Sequence, residues 1–195
     1  MTDILVIDTE TTTKHFDIEL GPDGNIVEVG VARVDLESRR VYPELSMIVN
    51  APADGDEWVF QNTSLTVKDV ENGRHASEAD TVLARMINHR PVAFYNAAFD
   101  CHMIDRDLRK TALTICLGSA RIDLMEIAAK IEEIPRSHAG ENVYPKAIAA
   151  YEYLCPDDPC GLNGVEEHRA LSDAVMEGHI LLALDERGLI RRLAP

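Results

Sequence analysis

The sequence predicts an α/β protein with a mixed five-stranded sheet flanked by helices. β-rich apolar segments at 4–7, 26–36 and 41–49 crowd the first quarter of the chain. The short link Glu37-Ser38-Arg39-Arg40 joins the second and third of these as a hairpin. From residue 76 onward, helical stripes alternate with short apolar runs at 91–96 and 113–117, which implies strands with helical connections. At 195 residues, with 46% apolar and 27% charged side chains, the chain reads as one soluble globular domain, 1–195.

Taken in order, Ile4-Leu5-Val6-Ile7 is a continuous apolar run that reads as a buried first strand. Gly21-Pro22-Asp23-Gly24 marks a turn. Pro43 puts the third strand at a sheet edge. Residues 50–62 read as loop, and a short helix is expected near 64–72. Ala79, Val82, Leu83, Met86 and Ile87 give the stripe of a helix over 76–89, with Ser77 as its cap. A strand at 91–96 turns into a helix over 97–112. Then come a strand at 113–117, helices near 123–133 and 145–154, and a last helix over 169–187. Leu171, Ala174, Val175, Gly178, Leu181 and Leu182 form the packing stripe of that last helix.

The formal charge of −15 argues against a generic nucleic-acid binder, since phosphate contacts demand a basic face. It does not exclude an enzyme that grips a chain end through bound cations, because these invert the local potential. A basic rim is expected from Arg106, Arg109 and Lys110. The four cysteines (Cys101, Cys116, Cys155, Cys160) form no C-x-x-C pair and read as free thiols of a reducing compartment. With no signal peptide and no apolar run of membrane-spanning length, the chain reads as cytoplasmic, with no membrane partner.

The chemistry starts at Asp8-Thr9-Glu10. Residues two apart on a strand share a face, so Asp8 and Glu10 leave the first strand together. Held that close, they repel unless a cation lies between them, and a hard divalent ion suits oxygen ligands. Asp-x-Glu recurs at Asp17/Glu19 and Asp35/Glu37, but only the first copy follows a buried run. Asp100 follows the strand 91–96 at the start of a helix, where a lone Asp ordinarily just answers the helix dipole. His168 and Asp173 head the last helix. Five residues apart on one helix, they lie roughly 140° apart. They converge only if His168 sits before the helix, on the lead-in Gly164-Val165-Glu166-Glu167.

Asp8-Thr9-Glu10-Thr11-Thr12, Ile26-Val27-Glu28-Val29-Gly30, Asn96-Ala97-Ala98-Phe99-Asp100 and His168-Arg169-Ala170-Leu171-Ser172-Asp173-Ala174 occur in one order across most of the chain. This set resembles the DEDDh exonucleases, the DnaQ-like branch with proofreading subunits, exonuclease X and ribonuclease T. The resemblance implies an RNase H-like sheet, three antiparallel strands joined to two parallel ones. It implies 3′–5′ hydrolysis of nucleic acid, single-stranded DNA favoured, with release of nucleoside monophosphates. Asp8, Glu10 and Asp173 are then ligands of one Mg²⁺ or Mn²⁺, and Asp8 and Asp100 serve a second, the two ions roughly 4 Å apart. His168 is the general base, a task that suits an imidazole near neutral pH. Thr11, Asn96 and Phe99 match positions near the terminal nucleotide, although Phe99 also reads as plain core.

Two segments depart from the family pattern. Thr13 stands where the family has Gly, and Gln61-Asn62-Thr63-Ser64-Leu65-Thr66 stands where His-Gly-Ile-Thr is usual. Both put substrate preference, more than catalysis, in question. The competing readings are an RNA 3′-end trimming exoribonuclease, a silent nucleic-acid-end binder, and another metal hydrolase. A polymerase's proofreading subunit is the narrower rival; the 22 residues after Asp173 favour a stand-alone nuclease. The oligomeric state is open, a homodimer included.

Overall fold

The computed structural model describes residues 3–13, 24–110, 121–136, 144–157 and 168–190. Strands β1 (Asp3–Thr11), β2 (Ile26–Asp35) and β3 (Arg40–Asn50) form an antiparallel meander. Helices α1 (Trp58–Asn62) and α2 (Val67–Glu71) lead to β4 (Arg74–His75) and α3 (Ala76–Ile87). Then come β5 (Val92–Phe94), α4 (Ala97–Lys110), β6 (Arg121–Asp123), α5 (Leu124–Ala128), α6 (Ala147–Leu154) and α7 (Ala170–Glu186). The sheet order is β4-β3-β2-β1-β5-β6, with β5 parallel to β1 and β6 parallel to β5.

Alternation along β1 builds both halves of the core. Ile4 and Val6 pack with Ile180, Leu181 and Leu184 of α7, while Leu5 and Ile7 pack with Leu83 and Ile87 of α3 and Met103 and Ile104 of α4. The sheet is thus sandwiched, and β1 lies at its centre. Such a strand is hydrophobic on both faces, which is why its sequence reads as an unbroken apolar run.

Several elements differ from the sequence reading. The sheet has six described strands rather than five: β4 adds two residues parallel to the end of β3. It is too short to show a pattern, and Gly73 before it lies against the backbone of Ile48–Asn50, where a Cβ would come within 2.9 Å. The strand expected at 113–117 falls outside the described residues, and the described parallel edge is β6. Pro43 does stand at a sheet edge: it lies inside β3 beside a bulge opposite Val31 and Ala32, and β4 pairs with β3 only at Val49 and Asn50. The stretch 50–62 contains α1. His75 rather than Ser77 caps α3, its ring nitrogen accepting the Ser77 N–H. The helix expected over 123–133 ends at Ala128 and gives way to tight three-residue turns up to Ile131.

Candidate active site

Asp8 and Glu10 project from the end of β1 toward α7. Cross-strand partners share a face, and Asp8 pairs with Gly30 while Glu10 pairs with Glu28. A Cβ on Gly30 would lie 2.1 Å from the Ala170 carbonyl carbon, so only glycine lets the start of α7 approach the sheet here. Glu28, 1% exposed, fixes that approach. Its carboxylate accepts two hydrogen bonds from the Arg169 guanidinium (Nη2 at 2.8 Å, Nε at 3.0 Å) and one from the Ala170 N–H at 3.1 Å. One acid therefore pins both the residue at the N-cap position of α7 and the first turn of the helix.

His168 lies one residue before that cap, with a left-handed backbone (φ 61°) that turns it out of the helical path. Its ring meets Trp58 edge-on, centroids 5.2 Å apart. The expected convergence follows: ligand atoms of Glu10, His168 and Asp173 all lie within 4.8 Å of one another. Residues 164–167 lie outside the described residues. Asp100 arrives from the first turn of α4 on the other side of β1, where Thr9 donates to it at 2.6 Å. Asp123 holds the start of α4 by accepting the Ala97 N–H, and it caps α5 through the Glu126 N–H.

Burial and mutual repulsion dominate the electrostatics of the site's acids. Burial, then the charges of Glu177, Asp100, Glu10 and Asp173, push the Asp8 carboxyl well above the usual range. Glu10 is pushed up to about 8 by burial and by Asp173 and Glu28, with Arg169 pulling the other way. Burial lifts Asp100 to about 7 against the Thr9 hydrogen bond.

These groups open on two cavities. The larger, about 520 Å³, is lined by Asp8, Asp100, His168, Asp173 and Glu177 together with Tyr95, Asn96, Phe99 and Lys146. The smaller, about 200 Å³, is lined by Glu10, Thr11, Thr13, Trp58, Asn96 and Phe99. Asn96 is exposed between the two. Phe99 is half-buried, packed against the core yet facing both cavities. Thr11 is buried and donates to the Thr13 carbonyl oxygen. In the second departing segment, Ser64 accepts from Arg169 Nη1 at 3.0 Å. Of the basic rim expected from Arg106, Arg109 and Lys110, Arg106 pairs with Asp107 and lines neither cavity, and the side chains of Arg109 and Lys110 lie outside the described residues; Lys146 lines the larger cavity.

Sequence reasoning missed Trp58 and Glu177. Trp58 fell in a stretch read as loop. Glu177 stands four residues after Asp173, which on a helix is the same face; that spacing was the available signal.

A comparison with protein families matches residues 5–181 to the RNase_T family, described as exonuclease. No curated protein matches the chain by sequence. Among solved structures, the nuclease domain of 3'hExo, a DEDDh family member bound to rAMP, superposes with a TM-score of 0.74 at 14% identity, covering 100% of this chain and 96% of that one. A 3′-exonuclease recognising the histone mRNA stem-loop gives 0.69 at 14% identity over 96% and 83% of the two chains. The zinc-bound E. coli exonuclease I–single-stranded DNA complex gives 0.69 at 15% identity over 96% and 41%. The chain thus spans about two fifths of exonuclease I. What is shared with these structures is the RNase H-like fold.

Proposed function

The chain belongs to the exonuclease family, as a nuclease of the DEDDh type, and we propose that it is a metal-dependent 3′–5′ exonuclease acting on single-stranded DNA ends. The observation that carries this reading is that Asp8, Asp100, Asp173 and His168, from three separate chain segments, line one cavity, with a ligand atom of Glu10 within 4.8 Å of those of His168 and Asp173. The exonuclease family is metal-dependent.

The residues fit a hard divalent cation. Four carboxylates supply oxygen donors, and Asp8 and Glu10 are raised by the charges of their acidic neighbours, with Arg169, itself engaged by Glu28, acting against this at Glu10. Asp8, Glu10 and Asp173 would hold one Mg²⁺ or Mn²⁺, and Asp8 and Asp100 a second. Two such ions neutralise charge that develops on the attacking and leaving oxygens. The chain's own groups do the rest. Thr9 fixes the Asp100 carboxylate, and the Glu28–Arg169 pair fixes the start of α7, so the acids are held in place before substrate arrives. His168, exposed and turned off the helix, takes a proton from the water that attacks phosphorus; the bond from phosphorus to the 3′ oxygen of the penultimate nucleotide breaks, that oxygen takes up a proton as the new 3′-hydroxyl of the strand, and the terminal nucleotide leaves as a nucleoside 5′-monophosphate.

Asn96 and Phe99, between the two cavities, and Thr11 on the smaller one would hold the terminal nucleotide. The free thiol of Cys101 accords with a cytoplasmic location. No helix among the described residues is long and apolar enough to cross a membrane. Trimming of RNA 3′ ends is the second reading, favoured by the rAMP-bound and histone-mRNA neighbours. One assay tests both: 5′-labelled single-stranded DNA and RNA oligomers with Mg²⁺, with Mn²⁺ and with chelator. The expected result is a ladder shortening from the 3′ end, absent with chelator and faster on DNA. Cleavage of neither polymer with either metal overturns the proposal.

A further inference from the structure

The set of four acids expected from sequence leaves one acid of the cavity unused. Glu177 stands one helical turn beyond Asp173 on α7, so the two side chains point the same way. It is 3% exposed and lines the larger cavity with Asp8 and Asp100. The Tyr95 backbone N–H approaches its carboxylate, yet Oε2 is buried with no hydrogen-bond partner. A buried polar oxygen left unpaired is costly, and a buried carboxylate more so. The charges that act on it most strongly are those of Asp100 and Asp173, with Asp123 adding to them, and all three are acidic. Among the charges felt by Asp8, that of Glu177 is the largest.

We infer that Glu177 is a fifth carboxylate of the metal centre, and that its free oxygen serves the cation on the Asp8–Asp100 side of the cavity. This rests on the metal-centre reading above. A cation there satisfies Oε2 and offsets three acids at once. The added negative ligand strengthens the hold on a hard divalent ion, whose affinity follows the charge count of its ligands.

The test is Mn²⁺ binding to the metal-free full chain, by calorimetry and by electron paramagnetic resonance, in wild type and in Glu177→Gln. Glutamine keeps the shape and removes the charge. The variant is expected to bind at least one Mn²⁺ about 10–100-fold more weakly, to gain less in Tm from Mn²⁺ than wild type, and to melt no lower than wild type in chelator. Should glutamine disturb folding, Glu177→Met fills the volume without a polar atom and repeats the comparison. Equal affinity, stoichiometry and Mn²⁺-induced Tm gain in wild type and a folded variant overturn the role of Glu177 while the metal centre stands. Wild type that binds no Mn²⁺ overturns the metal centre itself, and this inference with it.

Discussion

Asp8 and His168 carry different parts of the proposed chemistry, and single substitutions separate them. Asp8 is the acid common to both cation positions and is surrounded by Glu10, Asp100, Asp173 and Glu177. Replacing it by alanine removes a charge that only repels its neighbours when no metal is present. Asp8→Ala is therefore expected to abolish cleavage in the labelled-oligomer assay while its circular dichroism and chelator-state Tm stay near wild type. Cleavage at the wild-type rate would sink the carboxylate metal site. His168 is exposed and meets the edge of Trp58, which is itself outside the core clusters, so its loss is expected to spare the fold. As general base it contributes about 10²–10⁴-fold to kcat. His168→Ala should lose that factor in kcat, with little change in KM or Mn²⁺ affinity, and should flatten the acid limb of the kcat–pH profile. A matching loss of Mn²⁺ affinity would instead make His168 a ligand alongside Glu10 and Asp173, whose ligand atoms lie within the same 4.8 Å.

At the scale of elements, the site is the place where the end of β1 meets the start of α7, and the Glu28–Arg169 pair is the joint. Glu28 is almost fully buried, whereas the Arg169 side chain is 29% exposed. Removing the arginine leaves a buried carboxylate beside Glu10; removing the acid leaves a cation that water can reach. Breaking a buried pair costs about 3–5 kcal/mol when the remaining charge is stranded. Arg169→Ala should approach that cost in urea unfolding with chelator present, and Glu28→Gln should cost clearly less. Equal losses would mean that the pair merely packs. The same joint shows what the chain discloses before folding. Asp8 and Glu10 were legible because period-two alternation behind an apolar run leaves one geometry, and His168 because 140° on a helix forces it off the helix. Glu177 was not, because α7 was read as a helix with one apolar stripe. It is in fact buried at Ala174, Met176, Glu177, Gly178 and from Ile180 to Asp185, so an acid off the stripe still points inward. α1 and β4 were missed because five- and two-residue elements carry no period.

Across the whole molecule, a net charge of −15 is gathered partly into one cavity, and this makes stability depend on pH in an unusual direction. Paired surface acids act in the ordinary way. Hydrogen bonds from Ser38 and from Thr66 hold Asp35 and Asp69 below the usual carboxylate range, so their contribution is lost as pH falls through that range. The buried acids act in the opposite sense. Glu10 is lifted from 4.5 to about 8 and Asp100 from 3.8 to about 7, with Asp8 and Glu177 also raised. For a carboxyl raised in the folded state, the unfolded chain gives up its proton first. No penalty exists below the unfolded value, and stability is lost as pH climbs toward the folded value. The metal-free protein should therefore be most stable on the acid side and its Tm should fall steadily between about pH 4 and pH 8. Saturating Mg²⁺ holds the same carboxylates ionised at lower pH, so it should flatten the fall and raise Tm most at the alkaline end. The measurement is a set of thermal melts across that range, with chelator and with Mg²⁺. A chelator-state Tm that rises toward pH 8, or a Mg²⁺ effect that does not grow with pH, would mean that the cavity acids are already neutralised by groups of the chain itself, and the case for cations at this site would fail.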